Sequence, residues 1–273
     1  MDLFFQKVGQ GPPVIILHGL YGFSDNWITV ARKISDRYTV YLVDQRNHGR
    51  SPHNPVHTYE AMVSDLEDFI HKENISKPVL AGHSMGGKTA MRYAALHPDS
   101  LAGLVVIDIG PGGYADLNGY SPLVLSHLNI VRSMLAVDFS KYNTRTAIEE
   151  ELSKTITDWN VRQFIMKNVQ RNAGNFFSWK LNLDAVSRAL PEIMGPAFEE
   201  KELDIKEIDS MPVFFIKGDR SNYITAAQEE LIHKYFPMAS IVGIPDAGHW
   251  VHAEQPNAFL AKFVEIMGTI HPQ

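Results

Sequence analysis

Four short apolar runs, "PVIILHG" (13–19), "YTVYLVD" (38–44), "PVLAGHS" (78–84) and "LAGLVVIDIG" (101–110), constrain this chain more than any other feature. Each is nearly continuous rather than alternating, which is how a strand buried on both faces reads. Amphipathic stretches separate them: 26–36, 58–72 with the helically spaced "YEAMVSDLEDFI", and 85–97, closed by Pro98. Strand, helix, strand, repeated, predicts an α/β fold with a parallel doubly wound sheet. The pattern resumes with "PVFFIKGD" (212–219), a helix over 225–236, "ASIVGIPDAG" (239–248) and a last helix from about 255 to 268. Residues 111–209 break the rhythm, with helical stretches near 121–136 and 144–168, the aromatic cluster "NFFSWKLN" (175–182) and the charged connector "EEKELDIKEID" (199–209). We expect a core of residues 1–110 and 210–273 carrying an insertion, 111–209, packed over the sheet.

At 273 residues the chain can bury a sizeable core. Its formal charge, 25 minus 31 or −6, comes without any run of Lys or Arg, so neither nucleic acid nor an anionic membrane surface is an expected partner. No apolar run approaches the roughly 20 residues that span a bilayer. No secretory signal is visible in residues 1–30, and a cytoplasmic location is the expectation. With no cysteine, disulfides, thiolate zinc sites and thiol nucleophiles are excluded.

In "LAGHSMGGKTAM" (80–91) Gly82 and Gly86 flank Ser84 as G-x-S-x-G, with a strand ending at the serine and a helix starting just after it. This is the strand–turn–helix context of a nucleophile elbow. A sharp turn strains the serine backbone, and only residues without bulky side chains fit two before and two after it. The helix start then supplies unpaired N–H groups, Met85 N–H among them, to negative charge developing on a substrate oxygen. A second such donor should come from the loop after the first apolar run, and Leu20 is the candidate.

A serine hydroxyl needs a neutral imidazole to take its proton. Of twelve histidines, His249 in "DAGHWVHAEQP" follows the last strand at the carboxyl edge of the sheet, where such folds collect their functional groups. His252 is expected in the first turn of the last helix, and His83 should point away from Ser84 and serve packing or a structural hydrogen bond. Arg46, Asn47 and His48 are expected to fix their own loop. His18, His48 and Asp44 match no recognised metal-ligand spacing, so no metal or cofactor is expected and a chelator should leave activity unchanged. Two carboxylates at strand ends, Asp108 and Asp219, are candidates for orienting His249.

The segments "LHGLYGFSDNW", "DQRNHGRSPH", "GHSMGGKTAM", "WKLNLDAV" and "GHWVHAEQP" together resemble the α/β-hydrolase fold family, and within it the YbfF-like serine esterases of bacteria and their mitochondrial abhydrolase-domain relatives. The resemblance covers essentially the whole chain. It implies a mostly parallel sheet with a helical lid inserted after the sixth strand. The implied activity is hydrolysis of carboxylic esters or thioesters of short to medium acyl groups. A small-molecule ester or acyl thioester is the only partner implied. It also bears on the acid: many members place it in a Gly-x-x-Asp frame, which here reads Gly218, Asp219, Arg220, Ser221, so serine fills the slot and the aspartate is two residues early. Two residues along a strand is roughly 6–7 Å, too far for one hydrogen bond to a fixed imidazole. Asp108, 108 − 84 = 24 residues beyond the serine, is where the YbfF-like esterases keep theirs. Alternatives are a C–C hydrolase or lyase on the same fold, or a non-catalytic ligand-binding protein that keeps the hydrolase shell. In that insertion Phe176, Phe177 and Trp179 are expected to help wall an acyl pocket or to anchor the segment.

Overall fold

Alternation along each strand decides which layer a side chain joins. In β2 (Pro13–Leu17), Ile15 and Leu17 enter one hydrophobic cluster while Val14 and Ile16 enter another on the opposite face. The same division holds for Tyr41 and Val43 against Val40 and Leu42 in β3 (Thr39–Val43), and for Leu104 and Val106 against Val105 and Ile107 in β5 (Gly103–Ile107). Both faces are therefore apolar, and both are covered by helices. Over the first lie α2 (Tyr59–Lys72), α3 (Met85–Leu96) and α8 (Ala226–Tyr235), and over the second α1 (Ile28–Ile34) and α10 (Pro256–Ile270).

The structure, a computed structural model, describes residues 1–115, 121–198 and 208–272. Its seven-stranded sheet runs β1-β3-β2-β4-β5-β8-β9, with β1 (Phe5–Val8), β4 (Val79–His83), β8 (Val213–Gly218) and β9 (Ser240–Ile244) completing it. Every neighbouring pair is parallel except β1 with β3. All four apolar runs, and the two later ones, are strands. The half-buried edge strand β1 had no such signature, because its "FQKV" mixes apolar and polar residues over only four positions.

The insertion leaves after β5, the fifth strand along the chain rather than the sixth, because a single strand, β1, forms the amino-terminal edge. It contains α4 (Pro122–Leu135), α5 (Arg145–Ser153), α6 (Trp159–Met166), an antiparallel hairpin of β6 (Val169–Arg171) and β7 (Phe177–Trp179), and α7 (Leu183–Ile193). The stretch read as helical over 144–168 is two helices, since Asp158 accepts hydrogen bonds from Asn160 N–H and Val161 N–H and so caps a new start. Most of the charged connector lies outside the described residues. The segment's entry and exit are stitched together: Tyr114 N–H donates to Met194 O at 2.9 Å and Ala197 N–H to Pro111 O at 2.7 Å. Beneath them the buried Lys88 ammonium donates to Gly112 O and Gly195 O, and burial pushes its pKa down to about 7. Among the described residues no helix is long and apolar enough to cross a membrane.

Candidate active site

Ser84 sits between β4 and α3 with φ 52° and ψ −120°, in the left-handed half of backbone space where a non-glycine residue is strained. The flanking glycines are required by contact. A methyl group at Gly82 would lie 2.2 Å from Gly86 O, and one at Gly86 would lie 2.6 Å from both Leu17 O and His18 O. The turn is pinned by Ser84 N–H donating to Ile107 O at 3.0 Å. Met85 is the first residue of α3, so its N–H is among those a helix leaves without an intrahelical acceptor. Leu20 lies in the buried turn after β2, beside Gly19, where a methyl group would stand 3.0 Å from Ser84 Cβ.

His249 enters from the loop between β9 and the short α9 (Val251–Glu254). Its Nε2 is 3.1 Å from Ser84 Oγ and its Nδ1 is 2.8 Å from Asp108 Oδ2. The tautomer with the proton on Nδ1 satisfies both contacts: Nδ1–H donates to the carboxylate and Nε2 accepts from the serine hydroxyl. Burial holds the imidazole well below its ordinary pKa, so it is unprotonated at neutral pH and has a lone pair free to accept a proton. Asp108 follows β5 at φ 49°, fully buried. Burial raises its pKa, but Ser221 Oγ–H and Gly218 N–H, the latter at 2.9 Å, donate to the carboxylate and favour its ionised form.

Ser84, His249 and Asp108 thus converge at the carboxyl edge, and Asp219 does not join them. Its N–H donates to Ile244 O, continuing the β8–β9 pairing, and its carboxylate lies against Gly243. Ser221, which occupies the slot two residues on, donates instead to Asp108. Sequence reading noticed that slot but not its use, which depends on Asp108 reaching it across 113 residues. Also unforeseen was Tyr223, whose ring stacks on the His249 imidazole with centroids 3.8 Å apart and 17° between planes.

His83 makes a structural hydrogen bond, its Nε2 2.8 Å from the His249 carbonyl oxygen. His252 lies in α9 and stacks on Trp27 at 4.0 Å. Asn47 accepts from Asn54 N–H and His48 Nδ1 meets Arg46 O within their loop, while Arg46 donates to Asp65 of α2 and Asn47 also accepts from Asn182 of the insertion. The Asp44 carboxylate accepts from Ser24 N–H and Arg50 N–H, and among the described residues no group of three His, Asp or Glu is arranged to hold a metal ion. Of the insertion's aromatics, Phe176 is 73% exposed, Phe177 is buried in the shared core, and Trp179 packs on Phe139 while its Nε1–H donates to Met134 O. Phe177 and Trp179 anchor the hairpin, and Phe176 faces solvent.

A strained serine turn, a neutral imidazole and a buried carboxylate at the carboxyl edge of a parallel sheet define a hydrolase of the nucleophile-elbow class. The chain belongs to the α/β-hydrolase fold family, whose sequence pattern matches residues 12–256. It is 35% identical over 275 residues to the sn-1-specific diacylglycerol lipase ABHD11 of Danio rerio, covering 97% of this chain and 81% of that one. It is 34% identical over 259 residues to esterase YbfF of Escherichia coli strain K12, covering 93% and 92%. A solved structure titled marine microorganism esterase is 44% identical, with a TM-score of 0.91 over 97% of this chain and 99% of that chain.

Proposed function

We propose that this carboxylic ester hydrolase cleaves esters or thioesters of short to medium acyl groups through an acyl-serine intermediate. Ser84 Oγ attacks the acyl carbonyl while His249 Nε2 takes its proton, forming a tetrahedral oxyanion that accepts hydrogen bonds from Leu20 and Met85 N–H. Collapse expels the alcohol or thiol, which receives the proton from His249. A water, deprotonated in turn by His249, then hydrolyses the acyl-serine and restores the hydroxyl. Asp108 keeps the imidazole in the tautomer that can accept and stabilises the imidazolium. The observation that carries this reading is the unbroken line from Ser84 Oγ through His249 to Asp108 at 3.1 and 2.8 Å. The esterase and lipase names of the relatives support the substrate class. Residues 111–209 are the proposed lid, closing over the acyl group.

The test is turnover of p-nitrophenyl esters and acyl-coenzyme A thioesters of graded chain length, with fluorophosphonate labelling followed by peptide mapping. We expect hydrolysis that declines beyond medium chains and a label on Ser84. A protein that binds these acyl compounds but neither turns over nor labels is a ligand-binding shell, and the reading fails.

A further inference from the structure

Residues of the insertion hold two segments that flank the proposed catalytic groups, at Tyr21 and Tyr223. Tyr21, next to Leu20, is buried and has φ 63°, a left-handed conformation that a bulky side chain keeps only where its surroundings hold it. Both holding groups come from the insertion. Asn168, buried between α6 and β6, donates from Nδ2 to Tyr21 O at 2.7 Å, and His127 of α4 places Nδ1 3.3 Å from the Tyr21 hydroxyl. The other nitrogen of His127, Nε2, is 2.7 Å from the hydroxyl of Tyr223, the ring that lies flat on His249. Tyr223 is also fixed through its backbone, its N–H donating to Ser221 Oγ at 3.2 Å and its carbonyl accepting from Tyr114 O–H at 2.9 Å. One histidine therefore ties the segment that carries Leu20 N–H to the ring that backs the base. A neutral imidazole fits that place, since it accepts from one tyrosine hydroxyl and donates to the other.

We propose that His127, Asn168 and Tyr223 are positioning residues: through them the seated insertion sets the oxyanion loop and holds the His249 ring in the plane shared by Ser84 and Asp108. The inference rests on the acyl-serine reading and adds that the lid completes the catalytic geometry. Burial keeps His127 neutral, with its pKa lowered to about 3, so the strap is in place throughout the range where His249 is a base. Without the strap, Tyr223 is free to swing and water reaches His249. The His249 pKa then rises toward the ordinary imidazole value near 6.5. Because the base must be neutral, activity is lost as pH falls through that pKa, and the acid limb of kcat/KM moves to higher pH.

The experiment uses the whole 273-residue chain and p-nitrophenyl butyrate. His127→Leu is expected to lower kcat on the order of 10–100-fold with KM little changed, as a small misplacement of reacting groups does. Its acid limb should shift upward, so that turnover at about pH 5–6 falls more than at pH 8. The titratable groups around His249 are Asp108, His83, His252, Tyr223 and His127, and only the last is altered. Tyr223→Phe keeps the stacked ring but cuts the strap, and should shift kcat and the acid limb in the same direction; it also serves if His127→Leu does not fold. The double variant should be no worse than His127→Leu alone, because both remove one link. Folded variants with wild-type kcat and acid limb overturn the proposal, as does an effect confined to KM, which would make His127 a pocket wall. Failure of the reading beneath is separate: wild-type protein would then resist fluorophosphonate labelling and Ser84→Ala would still turn over ester.

Discussion

Ser84→Ala is expected to abolish ester turnover, lowering kcat by about 10⁴-fold or more, while the protein melts close to the wild type. The size follows from what the hydroxyl does. It is the proposed nucleophile, it sits 3.1 Å from His249 Nε2, and the flanking glycines let the turn bring it within reach of the substrate carbonyl. What remains in the variant is the proposed pair of backbone donors, which can polarise an ester for attack by water but supply no acyl-enzyme. The fold should tolerate the change because alanine needs no more room than serine and the turn's own bonds, Ser84 N–H to Ile107 O and Lys88 N–H to Ser84 O, are backbone. The check is kcat on p-nitrophenyl butyrate, beside loss of fluorophosphonate labelling and a circular dichroism melt. Full turnover in variant protein prepared free of wild-type enzyme would sink the serine mechanism.

What was legible in the sequence was what acts locally. The buried strands are runs of β-branched and other apolar residues, and the elbow is a steric constraint within five residues, so both were readable. His249 was placed by a strand end and a Gly-His turn, again a local signal. The edge strand β1 and the β6–β7 hairpin were not, since each is three or four residues long and owes its conformation to a neighbour. The same holds for the site's supporting residues. Tyr21 and His127 meet across 106 residues and His127 and Tyr223 across 96, and none of the three has a neighbouring sequence that marks it. Phe176, Phe177 and Trp179 show the converse: a conspicuous local cluster left a pocket wall and an anchor both open, and the hairpin turns one ring to solvent and uses the other two to pack.

The sharpest comparison is between Asp108→Asn and Asp219→Asn. Asp108 accepts from three donors, His249 Nδ1–H at 2.8 Å, Gly218 N–H at 2.9 Å and the Ser221 hydroxyl. An asparagine there keeps one carbonyl oxygen to accept from the Gly218 side but turns an NH₂ toward His249. Nδ1 must then accept, which moves the imidazole proton to Nε2, and a protonated Nε2 cannot take the proton of Ser84. The loss is one of tautomer rather than of fold, and the protease precedent for the same change puts it at about 10⁴-fold in kcat. Asp219 lies on the same strand-to-loop path, two residues before Ser221. Its N–H is committed to Ile244 O and its carboxylate to the surroundings of Gly243, so Asp219→Asn leaves the imidazole untouched and should turn over ester at close to the wild-type rate. Purified proteins compared in kcat, with circular dichroism to confirm the fold, decide between them: a crippled Asp219→Asn beside a near-normal Asp108→Asn would reverse the assignment and return the acid to the strand that precedes the last.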